Sequence, residues 1–193
     1  VFGLRRRLER AGQAMDPTRR PDPAAEEQLE NADPRAAMTA KYLHDYAPAP
    51  VCSGTAVKYY PDGQSMFADM LPALRSAEHS IYVESFIIGM GEMWGQIHEI
   101  LRQKAAAGLD VRVIYDDAGC LSLLPHNYAE ILQADGIRAF SFNRCVPVLN
   151  LVMNNRDHRK IMVIDGKIGF TGGVNLADEY INKLERFGYW KDS

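Results

Sequence analysis

The sequence predicts a layered α/β domain preceded by a basic, proline-containing arm. From Thr55 onward, short β-branched or aromatic runs alternate with stretches of helical periodicity, which is the pattern of strands and helices packed in layers. Glycine and proline separate the runs, at Pro61-Asp62-Gly63, Gly108, Pro125, Gly136 and Asp165-Gly166. Residues 1–33 show no sustained periodicity and are rich in Arg, Pro, Ala and Glu. A chain of 193 residues holds one domain of this kind with a sizeable core.

The elements follow in order. Residues 1–33 read as a linker, helical in patches. Residues 34–46 form a helix with Asp33 as N-cap and Pro34 at its first position. Ala47-Pro48-Ala49-Pro50 ends it, so the arm covers 1–50 and the main domain 51–193. Residues 56–60 read as a strand, turned by Pro61-Asp62-Gly63. Met66, Phe67, Met70, Leu71 and Leu74 mark a helix stripe that Pro72 should bend or divide. Residues 80–88 are an apolar, β-branched and aromatic strand, placed centrally. Trp94, Ile97, Leu101 and Ala105 repeat at helical spacing, with Gly108 as C′ residue. Residues 111–115 are the next strand. Pro125 opens a helix carrying Tyr128, Ile131 and Leu132, and 137–142 is a short strand. Asp165-Gly166 turns a hairpin between strands 159–164 and 167–171. Asn175 is expected to start a helix through Leu176, Tyr180 and Leu184.

Charge divides the chain. The net charge is −3, which gives no general attraction to nucleic acid. Arg5, Arg6, Arg7, Arg10, Arg19 and Arg20 face only Glu9 and Asp16 in the first twenty residues, a local net of +4. Such an arm suits an anionic membrane surface, as the positive-inside rule expects beside a membrane span; the alternative is a solvated basic tail. No apolar run approaches a membrane span, so the chain itself is expected to be soluble. Cys52, Cys120 and Cys145 are widely spaced, with no metal-ligand pattern, and read as free thiols. The loop between Phe142 and Asp157 holds Val146, Pro147, Val148, Leu149, Leu151, Val152 and Met153. It is either buried on the core or a wall facing lipid chains.

The chemistry concentrates near the C-terminal end. His158 and Lys160 are two apart at the start of a strand, so they share a face and can reach one phosphate. Gly172-Gly173-Val174-Asn175 then lets the backbone approach a ligand and offers a polar side chain at a helix start. Together these supply a nucleophile, a cation and an anion-binding terminus. Asp165 has the opposite strand parity from Lys160 and lies in a turn, which predicts a structural role. Glu84 is an acid in an apolar strand and should have a partner. His44, His79, His98 and His126 lack any such context.

The pattern HxKxxxxDxxxxxxGGxN, filled by His158, Lys160, Asp165, Gly172, Gly173 and Asn175, resembles the signature of the phospholipase D superfamily. The wider context is similar to the first catalytic half of a bacterial cardiolipin synthase. It comprises Lys58-Tyr59-Tyr60-Pro61-Asp62-Gly63, Ile81-Tyr82-Val83-Glu84-Ser85-Phe86-Ile87-Ile88, Val111-Arg112-Val113-Ile114-Tyr115-Asp116-Asp117 and Asn155-Arg156-Asp157-His158-Arg159-Lys160. The resemblance implies a phospholipase D-like fold, a mixed β-sheet flanked by helices. It makes His158 the nucleophile that forms a phosphohistidine, with Lys160, Asp165 and Asn175 in the same catalytic motif. Lys160, Gly172, Gly173 and Asn175 would bind phosphate, and Asp192 or Glu84 would orient the histidine ring.

No metal or cofactor is implied. The implied reaction joins two phosphatidylglycerols into cardiolipin. Its setting would be the cytoplasmic face of the cell membrane, with membrane spans ahead of the arm. The family builds one site from two motifs, and this chain has one. It therefore reads as an N-terminal half whose general acid lies in the second half of the same protein or in a second copy. The alternatives are a phospholipase, phosphodiesterase or nuclease working as a homodimer, and a non-catalytic membrane-binding module.

Overall fold

A computed structural model of the chain describes residues 22–47, 49–145, 154–186 and 188–193. The basic arm through Arg20 and the apolar segment 146–153 lie outside the described residues. The chain divides into two compact units, Val1–Lys58 and Tyr59–Ser193. In the first, α1 (Pro23–Ala32) and α2 (Pro34–Tyr46) repeat one start signal. Asp22 and Asp33 each cap with the side chain and are followed by proline, whose missing N–H is not needed at a first turn.

The second unit is built on a five-stranded sheet. Its strands are β1 (Ser80–Ser85), β2 (Asp110–Asp116), β3 (Arg138–Phe142), β4 (Lys160–Ile164) and β5 (Ile168–Thr171), in the order β3-β2-β1-β4-β5. The first three run parallel, whereas β4 lies antiparallel to both β1 and β5. The sheet is therefore mixed, and β1 is central. The helices of this unit are α3 (Gly63–Arg75), α4 (Glu92–Ala106), the single turn α5 (Asp117–Cys120) and α6 (Tyr128–Ala134), followed by a 3₁₀ turn at Asp178–Ile181.

Alternation within the strands sets the core. Ile81 and Val83 of β1, Val111 and Val113 of β2, and Met162 and Ile164 of β4 are buried with Met70 and Leu74 of α3 and Trp94, Ile97 and Leu101 of α4. The opposite parity leaves Tyr82, Ile114 and Phe140 exposed on the other face. Trp94 Nε1 donates to the Tyr128 hydroxyl at 2.5 Å, and His98 Nε2 lies 2.9 Å from Asp135, which ties α4 to α6 and the turn after it.

Three expectations change. Residues 56–60 form no strand: they join no ladder of the sheet, and Val57 and Tyr59 are 90% and 74% exposed. Tyr60 donates to Asp69 at 2.7 Å and faces the Phe170 ring at 6.3 Å. Pro72 does not divide helix α3, because a proline three residues before its last residue, Arg75, removes only one late hydrogen bond. Asn175 starts no helix. The chain from Gly172 is irregular up to the 3₁₀ turn, whose cap is Ala177.

Replacing Leu101, fully buried between α4 and the sheet, by alanine should lower unfolding free energy by about 2 to 5 kcal/mol. Denaturant titration of the two chains measures this.

Candidate active site

The site forms where β4 begins. Lys160 pairs with Ser85, the last residue of β1, and its side chain takes the parity of Met162 and Ile164, toward the helices. His158 lies two residues earlier, outside the ladder, and is exposed, whereas Lys160 is 9% exposed. The two side chains meet. Lys160 Nζ is 3.1 Å from His158 Nε2 and donates to the His158 carbonyl at 2.7 Å. The Phe86 ring supports both, 4.7 Å from the imidazole centroid and 5.4 Å from Nζ. Where the ammonium is the donor in this contact, the single in-plane lone pair of Nε2 is the acceptor and points at Nζ. Burial lowers the Lys160 pKa, opposed by the charges of Asp192 and Asp157. Beside Lys160 lies a small, mainly apolar cavity lined by Met66, Met70, Val83, Met162, Phe170 and Leu176.

Asn175 is 3% exposed and reaches across to the end of β1. Its Oδ1 accepts from the Ile87 N–H at 2.9 Å and its Nδ2 donates to the Tyr180 hydroxyl at 2.7 Å. Gly172 and Gly173 are tight for a local reason. A Cβ on Gly173 would strike the Asp192 carboxylate, and one on Gly172 would come within 2.9 Å of the Ser193 carbonyl, which accepts from Gly173 N–H at 2.8 Å. The glycine pair thus admits the segment carrying Asp192 next to the motif.

The two acids considered as partners of the histidine ring occupy different places. Asp192 bonds to Ser193 N–H and acts on Lys160 through its charge. Glu84 has the opposite parity from Lys160. Its Oε1 is 2.7 Å from Arg159 Nη2, and it is hydrogen-bonded to Asp157. Burial, reinforced by Asp157, pushes the Glu84 carboxyl up to about 7. Burial works against Asp157 too, but hydrogen bonds from Glu84 and Arg159 outweigh it and hold Asp157 low. Among the described residues no carboxylate bonds to the His158 ring.

Asp165 lies at the far end of β4, away from His158 and Lys160. Its carboxylate accepts from the N–H groups of Ser80 and His79 at 2.8 Å and Glu78 at 2.9 Å. The Ser80 bond above all holds its pKa at about 2. Asp165 and Gly166 have φ of 53° and 65°, the left-handed pair of a tight hairpin turn. Asp116, Asp157, Arg156 and Phe86 border the site and were not singled out as functional in the sequence. The available signal was Asp116-Asp117, two acids closing an apolar strand, where burial demands partners.

Residues 70–185 match the family model described as "Cardiolipin synthase, PLD-like domain", which is more than half of the chain. The chain belongs to the phospholipase D superfamily. Among its superfamily relatives, a cardiolipin synthase of Alkalihalophilus pseudofirmus is 38% identical over 169 residues, 87% of this chain and 33% of that protein. A cardiolipin synthase of Staphylococcus aureus is 40% identical over 137 residues, 71% of this chain and 28% of its own length. An uncharacterized protein of Streptococcus mutans is 45% identical over 190 residues, 98% of this chain and 41% of that one. The chain thus spans well under half of each. The crystal structure of a phosphatidylserine synthase from Haemophilus influenzae shares the fold, with a TM-score of 0.53 at 22% identity, over 70% of this chain and 31% of that one.

The depressed pKa of Asp165 gives a signed prediction for this superfamily member. A carboxyl at about 2 when folded, against an ordinary 3.8, stabilises the fold above pH 4 and loses that contribution as pH falls through 2. Asp165→Asn should therefore melt below the parent at pH 7, and the gap should narrow between about pH 4 and pH 2. Melting curves of both chains across that range test it.

Proposed function

We propose that the longer protein transfers phosphatidyl groups through a phosphohistidine on His158, and that it makes cardiolipin from two phosphatidylglycerols. The observation that carries this reading is the approach of Lys160 Nζ to within 3.1 Å of an exposed His158 Nε2. The names of relatives at 38% and 40% identity support the choice of lipid.

In the first step Lys160 Nζ turns from His158 Nε2 to a phosphoryl oxygen, and the freed Nε2 lone pair attacks phosphorus. The N–P bond forms as the ester bond to glycerol breaks, and the departing oxygen takes a proton from a general acid outside this chain. In the second, a hydroxyl of another phosphatidylglycerol attacks phosphorus and gives its proton to the same outside group, now the base, while the N–P bond breaks to restore the imidazole. Lys160 steadies the charge on the phosphoryl oxygens, which a nearly buried ammonium does better than a solvated one. Asn175 holds the Ile87 backbone and presents its remaining N–H toward the phosphate. Gly172 and Gly173 admit Asp192, whose charge counters the burial of Lys160 and through it steadies the histidine. Asp165 serves the motif by holding the strand. The phospholipid is drawn from an anionic bilayer, to which the arginines of the arm add attraction.

His158→Ala in the longer protein should lose at least about 10³-fold in transfer rate and form no phosphatidyl adduct in rapid-quench trapping, whereas the parent traps one. Transfer at the parental rate contradicts the nucleophile. The 193-residue chain alone should turn over about 10² to 10⁴-fold more slowly than the longer protein, because the general acid is supplied from elsewhere. Equal rates side by side, with the chain shown monomeric, contradict the shared site.

A further inference from the structure

One buried carboxylate gathers the backbone on the N-terminal side of His158. Asp116, at the C-terminal end of β2, is 0% exposed. Its Oδ1 accepts from the N–H groups of Ala118 at 2.9 Å and Gly119 at 3.1 Å, and Arg156 Nη1 lies 3.4 Å from the same oxygen. Its Oδ2 accepts the N–H of Asp157, 41 residues on, at 2.9 Å. That N–H belongs to the residue just before His158, in a stretch with no sheet pairing, since β4 starts only at Lys160.

Neighbouring bonds close the same knot. Asp117 accepts from Ser141 Oγ at 2.6 Å and Cys145 N–H at 2.8 Å. Arg156 Nη2 donates to the Asn143 carbonyl at 2.6 Å, and Asn143 Nδ2 donates to the Asn155 carbonyl at 2.8 Å. A carboxylate is buried at this cost only where its oxygens are matched by donors, and here donors occupy both sides.

We propose that Asp116 is a positioning residue for His158: by fixing the Asp157 peptide it sets where the imidazole stands relative to Lys160 and the phosphate. This rests on the nucleophile reading above. Among the described residues the imidazole is otherwise held by Lys160 and Phe86, which belong to β4 and the end of β1. Asp116 refers it to β2, a third strand. A shift of about 1 Å in a nucleophile can cost about 10²-fold in rate, so this anchor matters more for turnover than for binding.

Asp116→Asn is the selective variant. Asparagine keeps the size but has one acceptor oxygen. If that oxygen stays on Ala118 and Gly119, an NH₂ confronts the Asp157 N–H, donor against donor. In the longer protein, kcat should fall about 10²-fold with KM little changed. In the 193-residue chain, the ¹H–¹⁵N signals and pH titration of the His158 ring should shift, while those of His98, on α4, stay in place. A merely structural role would lower the folded fraction yet leave the His158 signals and the rate per folded molecule unchanged, and that result overturns the proposal. Should Asp116→Asn fold poorly, Arg156→Gln releases one donor and leaves the carboxylate; it should move the same His158 signals and lower kcat less, and parental signals and rate there also overturn it. His158→Ala is run beside them. If that variant keeps its rate, the nucleophile reading falls, and the hold of Asp116 on the His158 ring is still decided by the ring signals.

Discussion

The antiparallel pairing of β4 with β1 is the constraint on which the site depends. β4 enters the middle of the sheet from far along the chain, and its register with β1 runs from Ile81↔Ile164 to Ser85↔Lys160. Side chains alternate along a strand, so a slip of one residue would send Lys160 to the opposite face and put Ile161 in the core position. Two aspartates resist that slip from opposite ends. Asp165 binds three successive N–H groups leading into β1, and Asp116 binds the N–H of Asp157 just ahead of the motif. Neither bond belongs to the ladder, and both act on the strand that carries the lysine.

The same alternation sorts charge to the two sides of the strand. On one side Lys160 is nearly buried, bonded to His158 and influenced by Asp192, with no ion pair among the described residues. On the other, Arg159 bridges Asp157 and Glu84, two neighbouring acids of which burial holds Glu84 up while hydrogen bonds hold Asp157 down. The paired cation thus belongs to the framework. The cation without a carboxylate partner stands beside the exposed imidazole, where a phosphate oxygen would complete its bonding.

The core and most strands were legible because local pattern and environment agree. The apolar parity of 80–85, 110–116 and 160–164 is enforced by burial against α3 and α4, and the Asp165-Gly166 turn demands two left-handed residues that this pair tolerates. Residues 56–60 carry strand-forming side chains but join no ladder of the sheet. Asn175 carries the side chain of a helix cap, but its carboxamide is taken by Ile87 and Tyr180. In both places a long-range partner, or its absence, overrides propensity.

By itself the sequence determined the α/β class, the spacing that puts His158 and Lys160 on one side, and the glycine pair followed by Asn175. These follow from period-two geometry and residue chemistry acting over a few positions. Only the tertiary structure decided that Glu84 faces Arg159 rather than His158, that Gly173 makes room for Asp192, and that Asp116 reaches Asp157. Those contacts join residues tens of positions apart. Strand order and register bring them together, and no local pattern encodes which distant donor a buried carboxylate will meet.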